Sequence, residues 1–110
     1  MAMNKQYMRE EPSRNEVDTH RGPLMLEFGA PWCGFCKEAQ PLIERALALY
    51  DDVGHWKIED GSGKPLGRSF KVKLWPTLVF IKDGAEVSRL VRPTDEAAIA
   101  DALRGISPGQ

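Results

Sequence analysis

The run Thr77-Leu78-Val79-Phe80-Ile81, separated by one lysine from Asp83-Gly84, constrains this chain more than any other stretch. Apolar and β-branched residues in unbroken succession favour a buried strand. Asp-Gly is a preferred two-residue hairpin turn, so the segment from Glu86 to Val91 is expected to fold back antiparallel against that strand. An antiparallel pair late in the chain fixes one side of a sheet. What precedes it decides the class of fold.

Leu24-Met25-Leu26-Glu27-Phe28 is a compact apolar run of strand length with one acid inside it. From Cys33 to Tyr50 the pattern turns helical: Leu42, Ile43, Ala46, Leu47, Leu49 and Tyr50 have the spacing of a buried stripe. Pro41 falls within this helix, where it deletes one backbone hydrogen bond and favours a kink. Trp56-Lys57-Ile58 reads as a further strand, and a short helix is expected to end near Phe70. Ser13 and Glu16 have the spacing of a capping box, and Gly22-Pro23 is a stop, which predicts a helix between them. An edge strand near Tyr7 is expected before it. Thr94-Asp95-Glu96 opens a last helix with a cap and two early acids, and Gly105 closes it. The class is therefore α/β: a mixed β-sheet of four to five strands, with helices on both faces.

A chain of 110 residues is the size of one domain, so residues 1–110 are read as a single unit with frayed ends at 1–5 and 106–110. It can bury a core without disulfide staples or a structural metal. Its 15 basic and 16 acidic residues leave a charge of −1, which disfavours nucleic acid or an anionic membrane as main partner. No stretch is long and apolar enough for a transmembrane helix. The charged first twenty-one residues contain no apolar signal region, so a cytoplasmic location is expected.

Both cysteines of the chain sit in Cys33-Gly34-Phe35-Cys36. Residues three apart on the first turn of a helix share a face, with α-carbons roughly 5 Å apart. That lies inside the disulfide window of about 4.4–6.8 Å. So small a loop removes little entropy from the unfolded chain, so the bond would contribute little stability and could open easily. At a helix N-terminus, Cys33 would face unpaired amides and the positive end of the dipole, which favour the attacking thiolate. Cys33 would attack a substrate disulfide, and Cys36 would resolve the mixed disulfide. The reverse direction is equally allowed by the motif. A zinc site would need His20 and His55, and neither follows the usual ligand spacing, so no metal is expected. Gly61-Ser62-Gly63-Lys64 resembles a phosphate loop only briefly, since Ile58 and Pro65 break the pattern.

The stretch Phe28-Gly29-Ala30-Pro31-Trp32-Cys33-Gly34-Phe35-Cys36-Lys37, with Pro41 after it, resembles the active-site segment of the thioredoxin family. Trp75-Pro76-Thr77 about forty residues on resembles the family's second signature. This resemblance implies the thioredoxin fold and a thiol–disulfide oxidoreductase that reduces protein disulfides, with no cofactor beyond the Cys33–Cys36 pair. It implies a cis Pro76 beside the cysteines, with the Trp75 backbone open to an extended substrate segment. Glu27 lies at the family's buried acid, a proton acceptor for Cys36, and Lys57 falls near the lysine that neighbours it. Exposed alternatives stand for both: an edge position for Glu27 and an outward strand face for Lys57. Trp32, Gly34 and Phe35 would shape the substrate surface with Trp75, Pro76 and Arg92.

Three departures from the family stand out. Gly29 replaces a common tryptophan, which is expected to leave the region beneath the site less filled. Phe35 replaces the usual proline between the cysteines. Arg92 stands where glycine is usual, and is expected to crowd the substrate or select acidic ones. The expected partners are disulfide-containing client proteins and a flavin-dependent thioredoxin reductase, and the chain is expected to be a monomer. Disulfide isomerase or oxidase activity is the runner-up, and a thioredoxin-fold adaptor with little turnover is the rival from another class.

Overall fold

The computed structural model describes residues 3–108. Helix α1 (Arg14–Thr19) begins at the expected capping box, with Ser13 and Glu16 satisfying each other's backbone N–H groups. Strand β1 (Pro23–Gly29) leads into helix α2 (Gly34–Leu47), then strand β2 (Gly54–Glu59) and the short helix α3 (Pro65–Ser69). Strand β3 (Thr77–Lys82), strand β4 (Ala85–Val91) and helix α4 (Glu96–Arg104) complete the order. The Asp83-Gly84 turn has positive φ at both residues, +50° and +83°, as a tight hairpin requires.

The sheet order is β2-β1-β3-β4, with β1 parallel to β2 and the other neighbours antiparallel. Alternate side chains of β1 point to opposite faces, and each face has its own core. Met25, Leu78 and Phe80 pack with Ile43, Leu47, Ile99 and Leu103 beneath α2 and α4. Leu24, Leu26, Phe28 and Val79 pack with Val17 of α1, Leu66 of α3 and Phe70 at the C-cap of α3. The central strands are thus covered on both sides, which explains their unbroken apolar sequence.

Three expectations need correction. The segment around Tyr7 is not a strand; it makes one backbone bond to the sheet edge, from Met8 N–H to Lys57 O at 2.8 Å. The sheet among the described residues therefore has four strands. Helix α2 stops at Leu47, so Leu49 leaves the stripe and is 66% exposed. The ends within the described region are packed rather than frayed: Asn4 bonds His55, Ile106 is fully buried and Ser107 bonds Asp52. Residues 1, 2, 109 and 110 lie outside the described residues.

Candidate active site

Strand β1 ends at Gly29, and the loop after it delivers Cys33 to the N-cap of α2. At that position a helix offers backbone N–H groups with no intrahelical acceptor. One of them, from Cys36, donates to Cys33 Sγ at 3.1 Å. Both cysteines are free thiols; Cys33 is partly exposed, whereas Cys36 is 2% exposed. Burial pushes the Cys36 thiol up to about 12, helped by its hydrogen bond with the Cys33 side chain and the nearby negative charges of Cys33 and Glu27. A backbone hydrogen bond with Ala30 opposes this. One sulfur is reachable, and the other is held as a protonated thiol one turn deeper.

Gly29 makes room for that deeper sulfur. A Cβ at this position would stand 2.6 Å from Cys36 Sγ and 3.2 Å from the Tyr7 hydroxyl. The region beneath the site, expected to be underfilled, is occupied by Tyr7 from the N-terminal segment. Burial pushes the Tyr7 hydroxyl above its ordinary range, and the neighbouring Cys36 and Glu27 charges add to the shift.

Glu27 is fully buried, which rules out the solvated edge position. Its two oxygens accept from different donors: Oε1 from His55 Nε2 and Oε2 from Gln40 Nε2, each at 2.8 Å. Asn4 N–H donates to His55 Nδ1 at 2.8 Å, so that nitrogen is the acceptor and the ring proton sits on Nε2, facing Glu27. Gln40 also donates to the Cys36 carbonyl at 2.9 Å and accepts from Lys57 Nζ at 2.8 Å. Lys57 is thus buried and near the acid but reaches it through Gln40, with its ammonium 4.8 Å from the Tyr7 ring centre. The outward strand face expected as its alternative is excluded.

Sequence reasoning passed over His55, Gln40 and Tyr7. Two signals pointed to the first pair. His55 lies two residues before Lys57 in β2 and so shares its face, and β1–β2 pairing sets Lys57 opposite Glu27. Gln40 follows Cys36 by four residues on one helix face. Tyr7 carried no such signal.

The remaining site residues frame the outer surface. The Trp75–Pro76 peptide bond is cis. Trp32 is 66% exposed and meets Trp75 edge to face, with ring centres 6.3 Å apart. The Trp75 indole donates to Asp60 Oδ2 at 2.9 Å, and Asp60 N–H donates to Gly29 O at 2.8 Å. Gly34 opens α2 with free space around its α-carbon. Arg92 lies across the site: its guanidinium stacks 4.0 Å from the Phe35 ring centre, and its Nε–H donates to the Trp75 carbonyl at 2.8 Å. The carbonyl expected to be open is occupied. Among the described residues, no helix is long and apolar enough to cross a membrane, and no group of three or more His, Cys, Asp or Glu could hold a metal.

A buried thiol backing an accessible one on the same helical turn makes this a domain for exchanging dithiols with disulfides. The family model "Thioredoxin" matches residues 5–105. Thioredoxin-2 of Saccharomyces cerevisiae is 35% identical over 80 residues, covering 73% of this chain and 76% of that protein. Thioredoxin of Mycobacterium tuberculosis is 33% identical over 94 residues, covering 84% of this chain and 81% of its own length. The reduced form of thioredoxin 2 from Pseudomonas aeruginosa PAO1 superposes with a TM-score of 0.84 at 49% identity, covering 94% of this chain and 96% of that one. The chain belongs to the thioredoxin family and is a thiol–disulfide oxidoreductase.

Proposed function

We propose that Cys33 is the nucleophile and Cys36 the resolving thiol in the reduction of client protein disulfides. The carrying observation is the pairing of an accessible Cys33 Sγ, met by the Cys36 N–H at 3.1 Å, with a Cys36 thiol that is 2% exposed. Cys33 thiolate attacks one client sulfur, the client S–S bond breaks, and the departing client thiolate takes up a proton. Cys36 then loses its proton and attacks Cys33 Sγ. The mixed disulfide breaks, the second client thiol leaves, and the Cys33–Cys36 disulfide forms. Two electrons have passed from the dithiol to the client, and a flavin-dependent thioredoxin reductase returns two.

Glu27 is proposed to receive the Cys36 proton, with Lys57 supporting its charge through Gln40. Trp32, Gly34, Phe35, Trp75, Pro76 and Arg92 form the client-facing surface. The chain works as a single-domain monomer in the cytoplasm, with no cofactor beyond its own dithiol.

Insulin reduction by dithiothreitol tests this reading. The protein should accelerate precipitation of the insulin B chain, Cys33→Ser should match the blank, and Cys36→Ser should accumulate a mixed disulfide. A wild-type protein that does not exceed the blank is an adaptor, and the catalytic reading fails. Equilibration with glutathione separates reductase from oxidase, because an oxidising potential would reverse the direction of exchange.

A further inference from the structure

Arg92 makes three contacts that join the two loops of the site. Its guanidinium lies on Phe35 of the Cys33–Cys36 segment, its Nε–H holds the Trp75 carbonyl, and its backbone N–H donates to the Pro76 carbonyl at 2.8 Å. The residue adopts φ +51°, a left-handed conformation that strains any side chain and that glycine takes freely. An arginine kept in such a conformation, at the rim of the reactive dithiol, is positioned by its surroundings.

A guanidinium presents five N–H donors in a rigid fork. Stacking on Phe35 and the bond to Trp75 use its face and its Nε–H, leaving the terminal nitrogens. Arg92 is exposed, and no described carboxylate forms an ion pair with it. A cleft of about 220 Å³ opens beside it, lined by Phe35, Ala39, Leu42, Pro93 and Thr94, with one acid, Glu38. Charge in the cleft is therefore mixed, and the attraction for an anion is local to the guanidinium. A client segment crossing Phe35 to reach Cys33 passes this cation already oriented, with its rotamer entropy largely spent before binding.

We propose that Arg92 is a specificity-determining residue that selects client disulfides flanked by an aspartate or glutamate, binding that carboxylate through its terminal N–H groups. The proposal rests on the exchange reaction above and names its preferred substrate class. Lysine would supply charge without the fork or the planar stacking, so the preference depends on shape as well as sign.

The test uses peptide disulfides identical except for one residue beside the cysteine, on either flank: Asp, Asn or Lys. Reduced protein is mixed with each, and the rate of thiol release is followed in single turnover. Wild type is expected to favour the Asp peptide over the Asn peptide by about three- to tenfold at low salt, and the Lys peptide least. The ratio should shrink as ionic strength rises. In Arg92→Gln it should fall to about one, whatever the absolute rates, and Arg92→Lys should recover only part of it. Equal wild-type rates on the Asp and Asn peptides, with exchange proceeding, overturn the carboxylate proposal alone. No exchange with any peptide overturns the reductase reading and this proposal with it.

Discussion

The Glu27 carboxylate accepts a hydrogen bond from the His55 ring, 2.8 Å from Oε1 to Nε2, with both side chains fully buried. Replacing His55 by Leu removes the donor to Glu27 and the acceptor for Asn4 N–H in one step. A buried charged group left short of a partner is expensive, so H55L should lose about 3 kcal/mol of stability in urea denaturation. The double variant H55L/E27L removes the stranded charge and should recover part of that loss. A single variant as stable as wild type would mean that water satisfies both groups.

The Cys36 thiol gives the reduced protein an alkaline sensitivity. Its folded value is raised to about 12 from an ordinary value near 9.0, so the folded state holds this proton where the unfolded state releases it. The contribution to stability is intact below about pH 9 and is lost as pH rises from there towards about 12. The fall across that window should be shallower in Cys36→Ala, measured by denaturation at successive pH values. Near neutral pH, iodoacetamide should label Cys33 and spare Cys36, as read by mass spectrometry.

Adding a single methyl at Gly29 should perturb the chemistry more than the fold. The new Cβ of G29A would lie 2.6 Å from Cys36 Sγ, so the sulfur has to move. Overpacking of this kind costs about 1–3 kcal/mol. Insulin reduction should slow, and the rate of mixed-disulfide resolution should fall further than the rate of its formation, since Cys36 is the displaced group. Equal slowing of both steps would place the damage elsewhere.

Asp60 is expected to control the orientation of Trp75. In Asp60→Ala the indole N–H loses its acceptor, and tryptophan fluorescence should shift with the new environment of the ring. Gly67→Ala should have a related effect from the other side, because a Cβ there would overlap the Asp60 carboxylate. A spectrum unchanged in both variants would show that packing against Trp32 alone fixes the ring.

Local chemistry made most of the fold legible. The Ser13–Glu16 capping box, the Asp83-Gly84 turn and the apolar run of β3 each act over a few residues, so a linear reading captures them. The same holds for Cys33 and Cys36, whose spacing alone puts them on one helical turn. Family resemblance points to Glu27 and Lys57 but not to the glutamine between them, because Gln40 resembles an ordinary polar residue of an amphipathic helix. His55 follows no ligand spacing in the sequence, and its partner lies on another strand. The edge strand expected near Tyr7 does not form. That segment instead meets the sheet at one backbone bond, and that geometry depends on the edge it meets.

The leading stretch deserves to be thought of as part of the redox centre, although it contains neither cysteine. Asn4 fixes the ring of His55, Lys5 lends its carbonyl to Lys57, Tyr7 borders the deeper sulfur, and Met8 ties the stretch to the sheet. A protease nick, or a bulky fusion that pulled these residues away, would retune the dithiol from a distance. An affinity handle for biochemical work therefore belongs at the opposite terminus.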